Sequence, residues 1–304
     1  MINVIIPTYK PDKRFADLID KLNNQTIVPD KIWVINTEEE FWNNDSVKGF
    51  SNIEVRHISK EEFDHGNTRN MGMSLSDADI CIMMTMDAIP ANNAMIEELI
   101  KPLTDEKVAA SFARQLAFEN SSYTEKLTRG FNYPAESEIK SAKDIERLQI
   151  KAFFCSNVCC AYNKKIFDEL GGFVKKTIFN EDMLYASKAL HAGYSIAYQA
   201  EAMVYHSHEY SGIAQFRRNF DNGVSHAQYP EVFDEVSQEG EGFRMVKTVL
   251  AKLVKKCHFI EAVRYIWCTG CKFIGFKLGC KYKKLPKKLV LAFTSDKSYF
   301  IEMK

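Results

Sequence analysis

Residues 80–90 read Ile80-Cys81-Ile82-Met83-Met84-Thr85-Met86-Asp87-Ala88-Ile89-Pro90. A mainly apolar run that stops at a carboxylate and a proline is the pattern of a buried strand handing one acid to its C-terminal end. In open α/β sheets ligands bind just outside the carboxyl ends of strands, so Asp87 is placed to touch a phosphate-bound metal. The alternative is an N-cap, since an Asp before a helix starting near Pro90 or Asn92 would satisfy free backbone amides. An unpaired carboxylate at the end of a buried strand is costly, so a cation is expected to meet it.

Outward from that strand the chain alternates between the two periodicities. Asn3–Pro7 is a short β-rich run ending at Pro7-Thr8-Tyr9, and Phe15, Leu18, Ile19 and Leu22 follow at helical spacing. Lys31–Asn36 and Ile53–Ile58 read as strands, Asn67–Ser76 as a helix, Ile80–Met86 as a strand, Met95–Leu103 as a helix and Val108–Leu116 as a strand. This order predicts an α/β fold with a mostly parallel, doubly wound sheet flanked by helices. Residues 117–150 are polar and read as an active-site flap, and Phe153–Tyr162 returns to the core. Lys164–Leu170 is a short helix stopped by Gly171-Gly172, Met183–Ala192 a further helix and Ser195–Tyr205 a strand. The expected division is a catalytic domain over 1–230 and a basic helical appendage over 231–304.

The balance of 40 basic and 40 acidic residues in 304 hides a split. Residues 244–304 hold 15 Lys and Arg against Glu261, Asp296 and Glu302, so the tail is strongly basic and the remainder acidic. A helical face of Met245, Val246, Val249, Leu250, Leu253 and Val254, with lysines largely outside it, predicts a helix lying in a membrane interface. Trp267, Phe273, Ile274 and Phe276 beside Lys272, Lys277, Lys281, Lys283 and Lys284 extend the same expectation to an anionic membrane surface. The competing reading is an amphipathic helix packed on the rest of the protein. Nucleic acid is not expected, because the lysines come without a reader motif. No apolar run reaches the ~20 residues of a membrane span and no export leader is evident, so a cytoplasmic protein, peripheral on the inner face of the membrane, is expected. Eight cysteines then read as reduced thiols, and the spacing around Cys268 and Cys271 matches no standard zinc framework.

Four features line up on this scaffold. Pro7-Thr8-Tyr9 offers loop atoms for a base or ribose. Arg69, in Asp64-His65-Gly66-Asn67-Thr68-Arg69-Asn70 at a helix start, suits a diphosphate. Asp87 suits a divalent metal. Phe179-Asn180-Glu181-Asp182 sets an acid pair at a helix start. His206 and His208 alternate along an extended run, which is metal-ligand geometry and equally that of a solvated strand.

The stretches VIIPTYKP, FDHGNTRNMG, MTMDAIP, FNYP, FFCSNVCCAY, GGF, FNEDM and VYHSHEYS, spread over residues 1–230, resemble a family 2 glycosyltransferase of GT-A fold. Within that family they are most similar to the rhamnosyltransferase-like members that build bacterial surface polysaccharides, and FIGFKLGCKYKKLP resembles the tails of that group. The resemblance implies that Asp87 is the second acid of a metal-binding DxD motif, with Thr85 where the first would stand. It implies Asp182 as the general base with Glu181 beside it, and His206 as a metal ligand. Pro7, Thr8, Tyr9, Asn36, Arg69 and Asn70 fall at nucleotide-binding positions, although Asn36-Thr37 replaces the usual Asp-Ser pair. Arg129, Asn157 and His208 are candidates for acceptor contacts or for supporting the site.

The chemistry agrees with these roles. A nucleoside diphosphate leaving group, dTDP- or UDP-linked, needs Mg²⁺ or Mn²⁺ to neutralise it, and the hydroxyl of a glycan or lipid-linked acceptor needs a base. Direct attack inverts the anomeric carbon, whereas retention would need a carboxylate nucleophile. Gln215-Phe216-Arg217-Arg218-Asn219 lacks the Trp of processive members, so one sugar per event is expected. A nucleotidyltransferase-like enzyme and a non-catalytic nucleotide-sugar-binding scaffold of a membrane polysaccharide complex are the alternatives, and an oligomer is compatible with either.

Overall fold

The computed structural model of the chain describes residues 1–237 and 239–302. In chain order its elements begin β1 (Ile2–Tyr9), α1 (Lys13–Asn23), β2 (Lys31–Thr37), β3 (Ile53–Ile58), α2 (His65–Leu75), β4 (Ile80–Met84), β5 (Ile89–Pro90), α3 (Met95–Ile100) and β6 (Val108–Leu116). They continue with α4 (Tyr123–Asn132), β7 (Glu138–Lys140), α5 (Ile145–Leu148), β8 (Cys159–Asn163), α6 (Lys164–Glu169), α7 (Glu181–His191) and β9 (Ser195–Tyr205). The remainder is helical: α8 (Gly212–Gln228), α9 (Pro230–Phe233), α10 (Glu239–Lys255), α11 (Phe259–Gly279), α12 (Lys287–Phe293) and α13 (Lys297–Glu302). The chain forms two compact units. The first comprises 1–118, 133–176 and 181–207, and the second 119–132, 177–180 and the described residues from 208 onward.

The first unit is built on a nine-stranded sheet in the order β3-β2-β1-β4-β8-β6-β9-β5, with β7 added on β9. Strands β3, β2, β1 and β4 run parallel, and β8 is antiparallel to both β4 and β6. Val4, Ile5 and Ile6 of β1 and Ile82, Met83 and Met84 of β4 are completely buried, as expected of strands covered on both faces. Their apolar runs pack against Phe15, Leu18, Ile19 and Leu22 of α1. Strand β1 extends past the expected loop, carrying Pro7, Thr8 and Tyr9 as ladder residues opposite Ile35, Asn36 and Thr37. A proline fits there because the β4 side of the ladder ends at Ile5–Met83, so no β4 partner asks Pro7 for an N–H. The 117–150 stretch is not a single flap. Its helix α4 groups with the second unit, whereas β7 pairs with β9 in the first.

The second unit is helical and corrects one expectation. The apolar face of α10 is not a free membrane face: Val249 and Leu253 are fully buried, in a cluster with Ala262 and Tyr265 of α11 and with Tyr123 and Leu127 of α4. Helices α8 and α11 meet through glycines. A Cβ on Gly223 would lie 2.3 Å from the Phe276 carbonyl oxygen, and Cβ atoms on Gly275 and Gly279 would lie 2.2 and 2.0 Å from the carbonyls of Phe216 and Phe220. The last turns are pinned by Asp221, which is fully buried and accepts from the Thr294 hydroxyl at 2.6 Å and the Ser295 amide at 2.9 Å. All eight cysteines are free thiols.

Candidate active site

The chain leaves β1 toward β2 and β3 on one side and returns to β4 on the other, so the carboxyl ends of β1 and β4 flank a topological switch point. Thr8 lies there, 2 % exposed, its hydroxyl donating to Asn36 Oδ1 at 3.2 Å. The Asn36 amide nitrogen donates to the Glu38 carbonyl at 3.1 Å and lies 3.0 Å from His57 Nδ1. Tyr9, 42 % exposed, meets Phe41 edge-on at 5.7 Å, and Lys10 Nζ sits 4.1 Å from the centre of the Phe41 ring. The result is an open aromatic and cationic lip above a polar, fully hydrogen-bonded pair.

Asp87 stands across the switch point. Strand β4 stops at Met84, and a turn closed by the Ala88 amide on the Thr85 carbonyl at 3.1 Å carries the acid. The next helix, α3, begins only at Met95 behind Ala94, which excludes the N-cap reading. Asp87 Oδ1 instead lies 3.6 Å from His206 Nε2. That distance is too long for a hydrogen bond, whereas cis ligands at ~2.1 Å from one octahedral ion sit about 3 Å or more apart.

The other side of the imidazole is fixed. His206 Nδ1 lies 3.0 Å from Gln115 Oε1, and the Gln115 amide nitrogen donates to Ser156 Oγ at 2.9 Å. With its NH₂ spent on Ser156, Gln115 presents an acceptor, which assigns the imidazole proton to Nδ1 and leaves the Nε2 lone pair toward Asp87. An amide holding a histidine by its far nitrogen is the usual support of a metal-binding imidazole, and an O,N donor pair suits Mg²⁺ or Mn²⁺. The Thr85 hydroxyl, in the position of the missing acid, is buried with no hydrogen-bond partner among the described residues. Arg14, half-exposed and paired with Asp12 at 2.8 Å, lies within the field of Asp87.

The acid pair opens α7. Glu181 is buried, with Oε1 3.3 Å from Arg69 Nη1 and accepting from the Asn157 amide at 3.0 Å. Arg69, 6 % exposed, also donates to the His65 carbonyl at 2.8 Å. Burial alone would raise Glu181; Arg69, His65 and the Asn157 amide outweigh it and hold the carboxyl below its usual range. Asp182 accepts from the backbone N–H of Asn157 at 3.0 Å and of Met183 at 2.8 Å. Its pKa is nevertheless pushed up to about 7, first by burial and then by the adjoining Glu181 charge. One neighbour is thus kept ionised by an arginine while the other is poised near neutrality, the division expected of a base beside a positioning acid.

Residues 3–171 match the profile of glycosyl transferase family 2. This chain belongs to that family. The glycosyltransferase is 39 % identical over 98 % of its length to the O-antigen chain rhamnosyltransferase RfbN of Salmonella typhimurium, covering 96 % of that protein. It is 37 % identical over 98 % of its length to the O-antigen chain rhamnosyltransferase WbaN of Salmonella anatum, covering 95 % of it. Among solved structures it is similar in fold to the mannosyltransferase PcManGT from Pyrobaculum calidifontis in complex with GDP-Man and Mn²⁺, with a TM-score of 0.59 at 13 % identity, covering 94 % of this chain and 87 % of that one. Residues 1–349 of S. aureus TarS in complex with UDP-GlcNAc superpose with a TM-score of 0.53 at 14 % identity, covering 93 % and 91 %. The fold is therefore that of the GT-A glycosyltransferases.

The first unit of the glycosyltransferase thus holds Pro7, Thr8, Tyr9, Asn36, Arg69, Asn70, Asp87, Asn157, Glu181, Asp182 and His206. Not all are open. Arg69 faces Glu181, and both ends of the Asn70 amide are spent on the backbone of Phe173, at 2.9 and 3.0 Å. Asn157 joins both acids and is itself held by the Tyr162 hydroxyl at 2.8 Å. Arg129 and His208 belong to the second unit. Arg129 pairs with Glu125 at 2.8 Å, and His208 lines a pocket with Glu125, Tyr210, Arg264 and Lys272. Gln115, Ser156 and Arg14 were not anticipated. The signal for Gln115 was a lone amide near the end of the apolar strand Val108–Leu116, and for Arg14 a cation at the first helix start.

Proposed function

We propose that this glycosyltransferase transfers one rhamnose, or a similar hexose, from a dTDP- or UDP-linked donor to a glycan or lipid-linked acceptor with inversion. Its near-full-length similarity to two O-antigen chain rhamnosyltransferases supports the sugar and the acceptor class. The observation that carries the mechanism is Asp182, a carboxylate set near neutrality and aimed by two backbone amides.

In this reading the nucleoside lies over Thr8, Tyr9 and Asn36, with Phe41 as a stacking face. Asp87 and His206 would hold a Mg²⁺ or Mn²⁺, which would supply positive charge to the departing diphosphate. Lys10 and the Asp12-paired Arg14 are cations at the same end of the sheet, while Arg69 keeps Glu181 ionised. Asp182 takes the proton of the acceptor hydroxyl as it attacks the anomeric carbon; the proton ends on the carboxylate and the sugar bond to the diphosphate breaks. The first unit is then the catalytic domain and the second the membrane-docking one. No helix among the described residues is long and apolar enough to cross a membrane, so the proposed association is peripheral.

The test is a thermal-shift and transfer screen of dTDP-rhamnose, UDP-sugars and GDP-mannose, with Mn²⁺ or EDTA. A dTDP- or UDP-sugar should raise the melting temperature and be consumed only with metal. Stabilisation by none of them would refute the reading.

A further inference from the structure

Helix α11 is built inside out. Toward α8 it shows Gly275 and Gly279, and toward α10 Ala262 and Tyr265. Tyr265 and Phe276 face inward, but most of its bulky aliphatic and aromatic residues point away: Ile260 is 88 % exposed, Val263 69 % and Ile274 54 %, with Phe259, Ile266 and Phe273 also exposed, and Trp267, 65 % exposed, keeps only its indole nitrogen edge against Gly212 of α8. At 100° per residue these side chains fall in one continuous sector about 140° wide, along a helix about 30 Å long. In a water-soluble unit the hydrophobic effect drives the large residues of a helix inward. Small residues inward and large ones outward is the arrangement of a helix whose outer face meets an apolar medium.

The rim decides which medium. Exposed Lys252, Lys255 and Lys256 precede the helix, and Lys281, Lys283 and Lys284 follow it. Of the three acids in residues 244–304, Glu261 accepts from Thr124 and His258, and Asp296 caps the turn at Ser298. A second copy packed on this face would bring lysine against lysine. An anionic bilayer gives both the apolar depth and the opposite charge.

We propose that the outer face of α11 is the membrane-docking surface, lying in the interfacial plane of an anionic bilayer with the flanking lysines at the headgroups. This deepens, and rests on, the peripheral-membrane part of the function proposed above. The face is α11, not the α10 stripe.

The experiment is flotation of the full-length protein with vesicles of phosphatidylcholine alone or mixed equally with phosphatidylglycerol, alongside light scattering without lipid. The wild type should float with the mixed vesicles, with a blue shift of Trp267 emission that Trp267→Phe removes. Ile260→Glu/Val263→Glu/Ile274→Glu should lose flotation while keeping its melting temperature and its turnover of donor without vesicles. Lys281→Gln/Lys284→Gln should bind the mixed vesicles about thirtyfold more weakly. Unchanged flotation of the triple-Glu variant overturns the proposal, as does a dimer in light scattering that the triple variant abolishes. Flotation without turnover of any nucleotide sugar would refute the proposed function and leave the docking face standing.

Discussion

Replacing Asp182 with Asn removes one charge and turns an NH₂ toward one of the two backbone N–H donors, a loss independent of pH, so the pH dependence of the difference isolates what the raised pKa does. The carboxyl goes from an ordinary 3.8 to about 7 in the folded chain. At ~1.4 kcal/mol per unit the full shift would be worth ~4 kcal/mol, and because Asp182 keeps a partly exposed edge at which solvent screens it, about half of that, ~2 kcal/mol, is expected. A raised folded-state pKa means that the folded chain keeps its proton longer than the unfolded chain. The resulting stability is fully present below 3.8 and is lost as the pH climbs through about 7. The amide of the Asp182→Asn variant never ionises, so that variant should gain ~2 kcal/mol on the wild type between about pH 4 and about pH 8, roughly 4 °C in melting temperature. Turnover should move the other way. Wild-type kcat should rise through about pH 7 and level off, and the variant should lose roughly 10²–10⁴-fold with a flat profile and unchanged donor affinity. Calorimetry across that pH range and a coupled assay of nucleoside diphosphate release read both effects. A variant within tenfold of the wild-type rate, or a stability difference constant with pH, would refute the argument.

Gln115→Leu should weaken Mn²⁺ binding by roughly 10–100-fold in titration calorimetry and leave metal-free nucleotide affinity intact, because it releases the far nitrogen of His206 and the Ser156 hydroxyl but no residue of the nucleoside lip. Arg69→Met strands the buried Glu181 charge and should cost about 3–5 kcal/mol in urea denaturation, whereas Arg69→Met/Glu181→Leu should recover most of it. Gly223→Ala should cost about 1–3 kcal/mol by forcing α8 off α11. Gly270→Ala, where a Cβ meets nothing within 4 Å, should instead raise stability by up to ~1 kcal/mol in the same experiment.

Much of the first unit is legible because its signals are local. Val108–Leu116 and Ser195–Tyr205 were read to the residue, since an apolar run bounded by turn residues is a complete statement of a buried strand. Asp87, Asp182 and His206 stand at the strand and helix ends where the sequence places them. What the sequence hid was pairing at a distance. Nothing local says that Arg69 will meet Glu181, that β8 will enter the sheet antiparallel between β4 and β6, or that Gln115 will hold His206 across two strands. The tail failed for a different reason. Periodicity detects that a helix has an apolar side but not which side its neighbours take, and α10 buries its stripe while α11 leaves its own outside.

The glycine contacts of α11 also invert the usual rule for how such a helix ages under mutation. On an ordinary helix the large apolar positions are held fixed by the cavities their loss would open, and the small ones drift. On α11 any side chain at Gly275 or Gly279 collides with backbone, which cannot repack, while Ile260, Val263 and Ile274 are answerable only for being greasy. Deep mutational scanning of this helix should therefore find Gly275 and Gly279, unlike Gly270, intolerant of replacement, beside bulky outer positions that exchange freely among Leu, Ile and Phe and reject only charge.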